Sequence, residues 1–269
     1  MYNAAIKDKL IFYARVAWFG AHLYSTYPWE IVSLLLRRTL EVGLLLLFWY
    51  IVQQGNGITE VRNFPAYILI ASSAQLLTIG HNFRVGSSYG DDIKSGAIST
   101  ILMKPINTLY YYVAHNFGTQ IIVQAFSIIN IIVGCFLLSG VALERYGLFV
   151  LSLFISWLIG LYLNVLIGAA AFWIIEHGQF RLILYFGVRI VSGFFVPLSF
   201  FPGAIEHVLL ALPFAQLAYV PAEILTGTSS TGRLVSFLGI GVLWVVLLRL
   251  IAFRVWELGR RQNLSLIHI

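Results

Sequence analysis

A chain that repeats continuously apolar runs about as long as a bilayer is thick has few folds open to it. In hydrocarbon every backbone amide must find a partner within its own helix or in a closed barrel. Runs such as LLLLFWYIV and IIVGCFLL are apolar without alternation, whereas the strands of a membrane barrel alternate over about 10 residues. The sequence therefore predicts an all-α integral membrane protein. Stretches of roughly 20 apolar residues fall near Ser33 to Gln53, Pro65 to Arg84, Asn116 to Ser139, Gly147 to Ile175, Arg181 to Phe201 and Arg233 to Phe253. Six transmembrane helices are expected, the fourth long enough to tilt. Composition agrees, with 59% hydrophobic and 10% charged residues, against about 25% charged in soluble domains. No Pro-, Gly- or Ser-rich linker and no internal repeat divides the chain.

Lys and Arg near span ends stay preferentially on the cytoplasmic side. One set of ends carries Lys7, Lys9, Arg15, Arg37, Arg38, Arg84, Lys94, Lys104, Arg181, Arg254, Arg260 and Arg261, and the opposite loops carry Arg62, Arg145 and Arg233. Both termini are expected in the cytoplasm. The net charge of +6 follows from this bias and from contact with anionic membrane lipids, so no nucleic-acid partner is inferred. Cys135 lies inside the third span and reads as a small apolar residue.

Residues 1–28 form the first expected unit. Ala4 to Tyr24 places Ile6, Leu10, Tyr13, Ala17, Ala21 and Tyr24 on one helical face, with Lys7, Asp8, Arg15 and His22 opposite. This describes an N-terminal interfacial helix lying on the membrane and ended by Pro28; a helix packed on a soluble partner has the same pattern. Residues 29–262 hold the six spans. The tail NLSLIHI, residues 263–269, turns apolar after Arg260 and Arg261; it is compatible with a truncation or read-through artefact and is set apart from the functional reading.

The longest polar interruption between spans is Gly90 to Asn107. Asp91, Asp92 and Lys94 open a stretch in which Ile93, Ala97, Ile98 and Ile101 share a helical face, and Lys104 and Pro105 close it. A short amphipathic helix is expected here. It suits a groove on a soluble partner, the apolar residues anchoring and the acidic ones fixing register; lying on the membrane surface is the other reading.

The segment DDIKSGAISTILMKP, Asp91 to Pro105, resembles the coupling segment of ABC-2 type transporter permeases. A second stretch, Gly193 to Gly227, resembles the fifth span of those permeases and the external helices that follow. The likeness extends to the six-span layout and covers the chain to about Gln262. The Glu-Ala-Ala opening of binding-protein-dependent importers is absent, which points to export. The resemblance implies an ATPase-coupling site at Asp91, Asp92, Lys94, Ser95, Gly96, Ile98, Leu102, Lys104 and Pro105. It also implies a bacterial plasma membrane location, a second permease chain, identical or similar, and a broken or re-entrant segment after the fifth span.

ATP chemistry has no place in this polypeptide, since a phosphate-binding loop needs Gly-Lys-Ser/Thr and none of Lys7, Lys9, Lys94 and Lys104 follows a glycine. On the permease reading, ATP and Mg belong to a separate nucleotide-binding ATPase subunit.

Polar residues within spans cost free energy unless partnered. Asn116, Gln120, Gln124 and Ser127 share a face of the third span with Asn130 at its edge, and Gln75, Thr78 and Asn82 line the second. These read either as a polar wall along a translocation path or dimer seam, or as interhelical hydrogen bonding. Arg189 sits mid-span and should face the bundle interior, with Glu176 or a substrate anion as partner. Arg37, Arg38 and Arg249 read as snorkelling near span ends. Phe194, Phe195, Phe200 and Phe201 surround Pro197 and Pro202, so the fifth span should break there. Phe195, Pro197, Phe201, Pro202 and Pro213 then form either an external gate or an aromatic belt.

A membrane enzyme is disfavoured, since HExxH, GxSxG and His pairs at ligand spacing are all missing. An ion-coupled secondary transporter is the remaining alternative, although neither inverted repeats nor paired midplane acids are visible.

Overall fold

The computed structural model describes residues 2–56, 63–174 and 177–267, and these are helical with no strand among them. In chain order the helices are α1 Tyr2–Ser25, α2 Pro28–Asn56, α3 Phe64–Gln75, α4 His81–Ser95, α5 Ile98–Leu102, α6 Thr108–Thr119, α7 Ile121–Phe136, α8 Leu143–Ala169, α9 His177–Val191, α10 Gly203–Ala211, α11 Tyr219–Thr226 and α12 Thr231–Ile267. A π-helical turn over Leu76–Gly80 joins α3 to α4, so the second expected span runs on to Ser95 instead of ending near Arg84. Asn63 starts it, accepting from the Ala66 amide at 3.2 Å and donating to the Leu137 carbonyl at 2.8 Å.

Two helical stretches, Leu143–Phe172 and Thr231–Gly259, are each long and apolar enough to cross a bilayer, and the pair α6 and α7 makes a third if counted as one span bent by 65°. The six continuous spans of the sequence reading are therefore not all found as such. The causes are local. Glu30, Arg37, Arg38 and Glu41 interrupt the first half of α2, the π turn interrupts the second span, and Gln120 sits at the bend of the third. The fifth stops at Val191, and the 15 residues of α9 reach roughly 22 Å, short of a hydrocarbon core of roughly 30 Å.

Packing organises around α8, half of whose apolar window is buried inside the protein, against 28% for α12. One core joins Tyr67 and Ile70 of α3, Ile155 and Ile159 of α8, Leu198, Leu217, Tyr219 and Leu234. A second joins Val85, Tyr89 and Ile93 of α4 to Ile98 of α5, Leu161 and Val165 of α8 and Ala252 of α12. The α3–α4 unit, α8 and α12 each pass from the first core to the second, so these helices run the same way and the two cores mark opposite ends of the bundle. We call them the re-entrant end and the elbow end.

At the elbow end helices approach through small residues. A Cβ on Gly168 would collide with the Gly86 carbonyl and the Tyr89 ring, and one on Gly118 would collide with the Ala17 carbonyl. The second contact corrects the sequence reading of α1: Tyr13, Ala17 and Ala21, assigned to the membrane, belong to the covered face that lies on α6, while Leu10, Ile11, Trp18, Phe19 and Leu23 are exposed. Small side chains let two backbones meet, and the bulky apolar residues are left outward, where a bilayer interface takes them.

Candidate functional site

Three groups of residues come together in ways that bear on function. The first is the elbow between α4 and α5. Asp91, Asp92, Lys94 and Ser95 form the last turn of α4 and do not open a separate helix; the chain then reverses at Gly96, whose φ of +77° favours glycine. The Gly96 amide closes the turn on the Ile93 carbonyl at 3.2 Å. Ile93 and Ile98 are 8% and 1% exposed, so two of the expected partner anchors fasten the elbow to its own bundle. Ile101 and Leu102 are half-buried beside them, whereas Lys94, Ser95, Gly96, Ala97, Met103, Lys104 and Pro105 form an exposed tip. Asp92 accepts from the Tyr112 hydroxyl of α6, and Asp91 lies 3.7 Å from the Arg181 guanidinium of α9. The exit of the elbow meets α1, as the Asn107 amide donates to the Tyr13 hydroxyl at 3.2 Å. The tip is thus tied to α1, α6 and α9.

The second group is the chain reversal after α9. It begins at Ser192 and Gly193, earlier than the prolines suggested, and Gly193 has a φ of +82°. Pro197, Pro202 and Pro213 instead stand at the starts of the 3-10 turn Leu198–Phe200, of α10 and of the 3-10 turn Pro213–Leu217, where a missing amide proton costs nothing. The freed backbone groups find side chains. Tyr67 donates to the Gly193 carbonyl at 2.7 Å, Gln75 to the Ser192 hydroxyl at 2.8 Å, and Ser156 to the Gln216 carbonyl. Gln216 in turn donates to the Phe237 carbonyl at 2.9 Å. Arg145 closes the far side, donating to the carbonyls of Ile224 at 3.1 Å, Gly227 at 2.9 Å and Ser229 at 2.7 Å. Phe195 and Phe201 are half-buried, Pro197 and Pro213 buried and Pro202 exposed. Trp49 donates to the Phe195 carbonyl at 3.0 Å and stacks on Phe64. Arg233, like Arg145, has a local task here, pairing with Glu206 at 3.1 Å; Arg62 lies outside the described residues.

The third group holds charge. Arg189 is 6% exposed and pairs with Glu41 of α2, which also binds Arg38 at 2.7 Å. The sequence reading had Glu176 or a substrate anion as its partner; Glu176 lies outside the described residues, and the carboxylate it meets is Glu41. Arg38 is correspondingly paired, not snorkelling. The Arg189 guanidinium also stands 4.0 Å from the centre of the Phe194 ring, a cation–π contact. The signal in the sequence was Arg38 and Glu41 at i, i+3 within an apolar run, two charges that must meet partners inside the bundle.

The expected polar stripe is split by the bend at Gln120. Asn116 accepts from Ser88 at 3.2 Å, Ser127 donates to its own helix at Val123, and Asn130 to Phe126. Gln120 is buried with no hydrogen-bond partner for its Nε2 among the described residues. Gln124, which has partners of its own, is half-buried. Gln75 and Thr78 join the reversal, Thr78 lying 3.4 Å from the Leu217 carbonyl. The Asn82 side chain lies outside the described part. Sequence reasoning did not single out Tyr67, Arg145, Ser192 or Gln216, because Tyr67, Arg145 and Gln216 act on backbone carbonyls, and Ser192 on the Gln75 side chain, that only the folded chain brings near.

No metal-binding group of His, Cys, Asp or Glu occurs among the described residues. A comparison with curated proteins returns no significant match. The family model described as "ABC-2 family transporter protein" matches residues 39–265, a span that takes in the elbow, the reversal after α9, and Glu41 and Arg189 of the charged cluster. With a membrane bundle of this composition and a match over most of its length, the chain belongs to the ABC-2 family of transporter proteins.

Proposed function

We propose that this chain is the permease subunit of an ATP-driven exporter, with α2, α3–α4, α6–α7, α8, α9 and α12 as its six membrane passages. The bias of Lys and Arg toward the elbow end supports a cytoplasmic elbow and cytoplasmic termini, in a bacterial plasma membrane. The elbow tip is the docking point for a separate nucleotide-binding ATPase, which holds ATP and Mg. A second permease chain, identical or similar, completes the path between two ATPases.

The observation that carries this reading is the elbow itself. It is a glycine turn anchored inward by Ile93 and Ile98 and bare at its tip. A push on Lys104 or Pro105 is delivered through α4 and the π turn to α3, whose Tyr67 and Gln75 grip the reversal at the other end. Closure of the ATPase pair then favours one helix arrangement, and a substrate that binds the arrangements unequally is moved. Asp91 and Asp92 hold the lever on α9 and α6, Ile98 and Leu102 seat it, and Lys94, Ser95, Gly96, Lys104 and Pro105 meet the partner. Phe195, Phe201 and the three prolines frame the external closure.

The test is co-purification with a nucleotide-binding ATPase, sought first among the neighbouring genes, followed by transport into inside-out vesicles. Uptake should need ATP and fall at least tenfold in Gly96→Val, while protein level is kept. Transport by the chain alone on an ion gradient would make it a secondary carrier.

A further inference from the structure

The cluster of Arg38, Glu41 and Arg189 is not electrically closed. Two guanidinium groups share a single carboxylate. Among the described residues, no other Asp or Glu borders the small cavity against which these side chains lie. The Nε atoms of both arginines are buried without a hydrogen-bond partner among the described residues. Arg189 cannot relieve this by reaching water, since its side chain is 7% exposed, while Arg38 and Glu41 at 20% and 24% leave a way in. An unbalanced charge within a membrane bundle is costly and calls for a counter-charge.

The cavity is about 20 Å³, room for one particle the size of a water molecule. Its wall combines the two arginines with Ser72, Ser73, Gln75 and Tyr185; Ser72 and Gln75 already donate to Leu69 and Ser192, which leaves the two buried Nε groups as donors for an anion. A phospholipid or carboxylate headgroup exceeds such a volume by far more than a monatomic anion, which a small outward shift of the partly exposed Arg38 side chain would admit.

We infer that this is a binding site for one chloride-sized anion, which balances the second guanidinium and fixes α2 against α9. A neutral water would fill the space but leave the charge. The inference uses the membrane reading of α2 and α9 and not the ATPase partner, so its failure would leave the proposed transport cycle standing.

The purified full chain is to be unfolded thermally in nonionic detergent at constant ionic strength while sodium gluconate is replaced by sodium chloride. The midpoint should rise by a few degrees, saturably, with bromide acting like chloride and sulfate inert. Glu41→Gln, which frees a second positive charge, should shift half-saturation at least tenfold lower. Arg38→Gln, which removes the excess, should flatten the response. If either variant does not fold, equilibrium binding of radiolabelled chloride to the unaltered chain decides, with a single chloride per chain expected. Equal midpoints in chloride and gluconate with no bound label would overturn the site. So would a response that survives in Arg38→Gln, or one that anionic phosphatidylglycerol produces without chloride.

Discussion

The two ends of this bundle solve the same packing problem in opposite ways. At the re-entrant end the chain is broken repeatedly, and carbonyls released by the breaks are bound by Tyr67, Ser156, Arg145 and Trp49. At the elbow end helices α1, α4, α6 and α8 touch through Gly86, Gly168, Gly118 and Ala17. They leave cavities of about 410 Å³ beside Arg84 and Asn116 and about 580 Å³ beneath Leu102 and Tyr110. Directional bonds to buried carbonyls have one good geometry, whereas smooth small-residue contacts can slide. On the proposed cycle, the end whose breaks are held by directional bonds would be the rigid one, and the end bordering the larger cavities the one that moves.

Breaking the rigid end should cost most. Arg145→Ala removes three part-buried hydrogen bonds from a charged donor, each worth about 1.5–3 kcal/mol at most, so thermal unfolding of the purified protein should fall furthest for this variant. Gly168→Leu at the other end forces α4 from α8. Overpacking costs typically about 1–3 kcal/mol, and the same assay should place it next, with transport lost because the helices no longer slide. Gln75→Leu removes one intramembrane hydrogen bond to Ser192, worth on the order of 0.6 kcal/mol, and its midpoint should move least among buried changes. Lys104→Glu at the exposed tip should leave stability within about 0.5 kcal/mol and abolish ATP-dependent transport.

How much of this was legible in the sequence divides along the same line. The apolar runs, the polar elbow with its closing Lys104 and Pro105, and the irregular stretch from Gly193 were readable because each rests on local chemistry. The straightness of the spans was not. Gln120 carries no mark of a 65° bend, and Leu76–Gly80 has the composition of an ordinary helix. The role of Ile98 was legible as apolar but not as internal, since periodicity says that a face is buried and not against what. The partner of Arg189 required knowing that α2 lies beside α9. Tyr13, Ala17 and Ala21 have the spacing of a membrane face, and only the proximity of Gly118 turns them toward α6.

The account stands on the elbow tip being where an ATPase grips. Cross-linking tests this most directly: with Cys135 replaced by Ser, a cysteine is placed at Met103, which is 80% exposed, and the membrane complex is treated with a short bifunctional thiol reagent. The account predicts a covalent product joining this chain to a nucleotide-binding subunit, in a yield that changes with ATP, and none from a cysteine at exposed His207 beyond the reversal. A product from His207, or a complex with active transport in which Met103→Cys never reaches an ATPase, would contradict it.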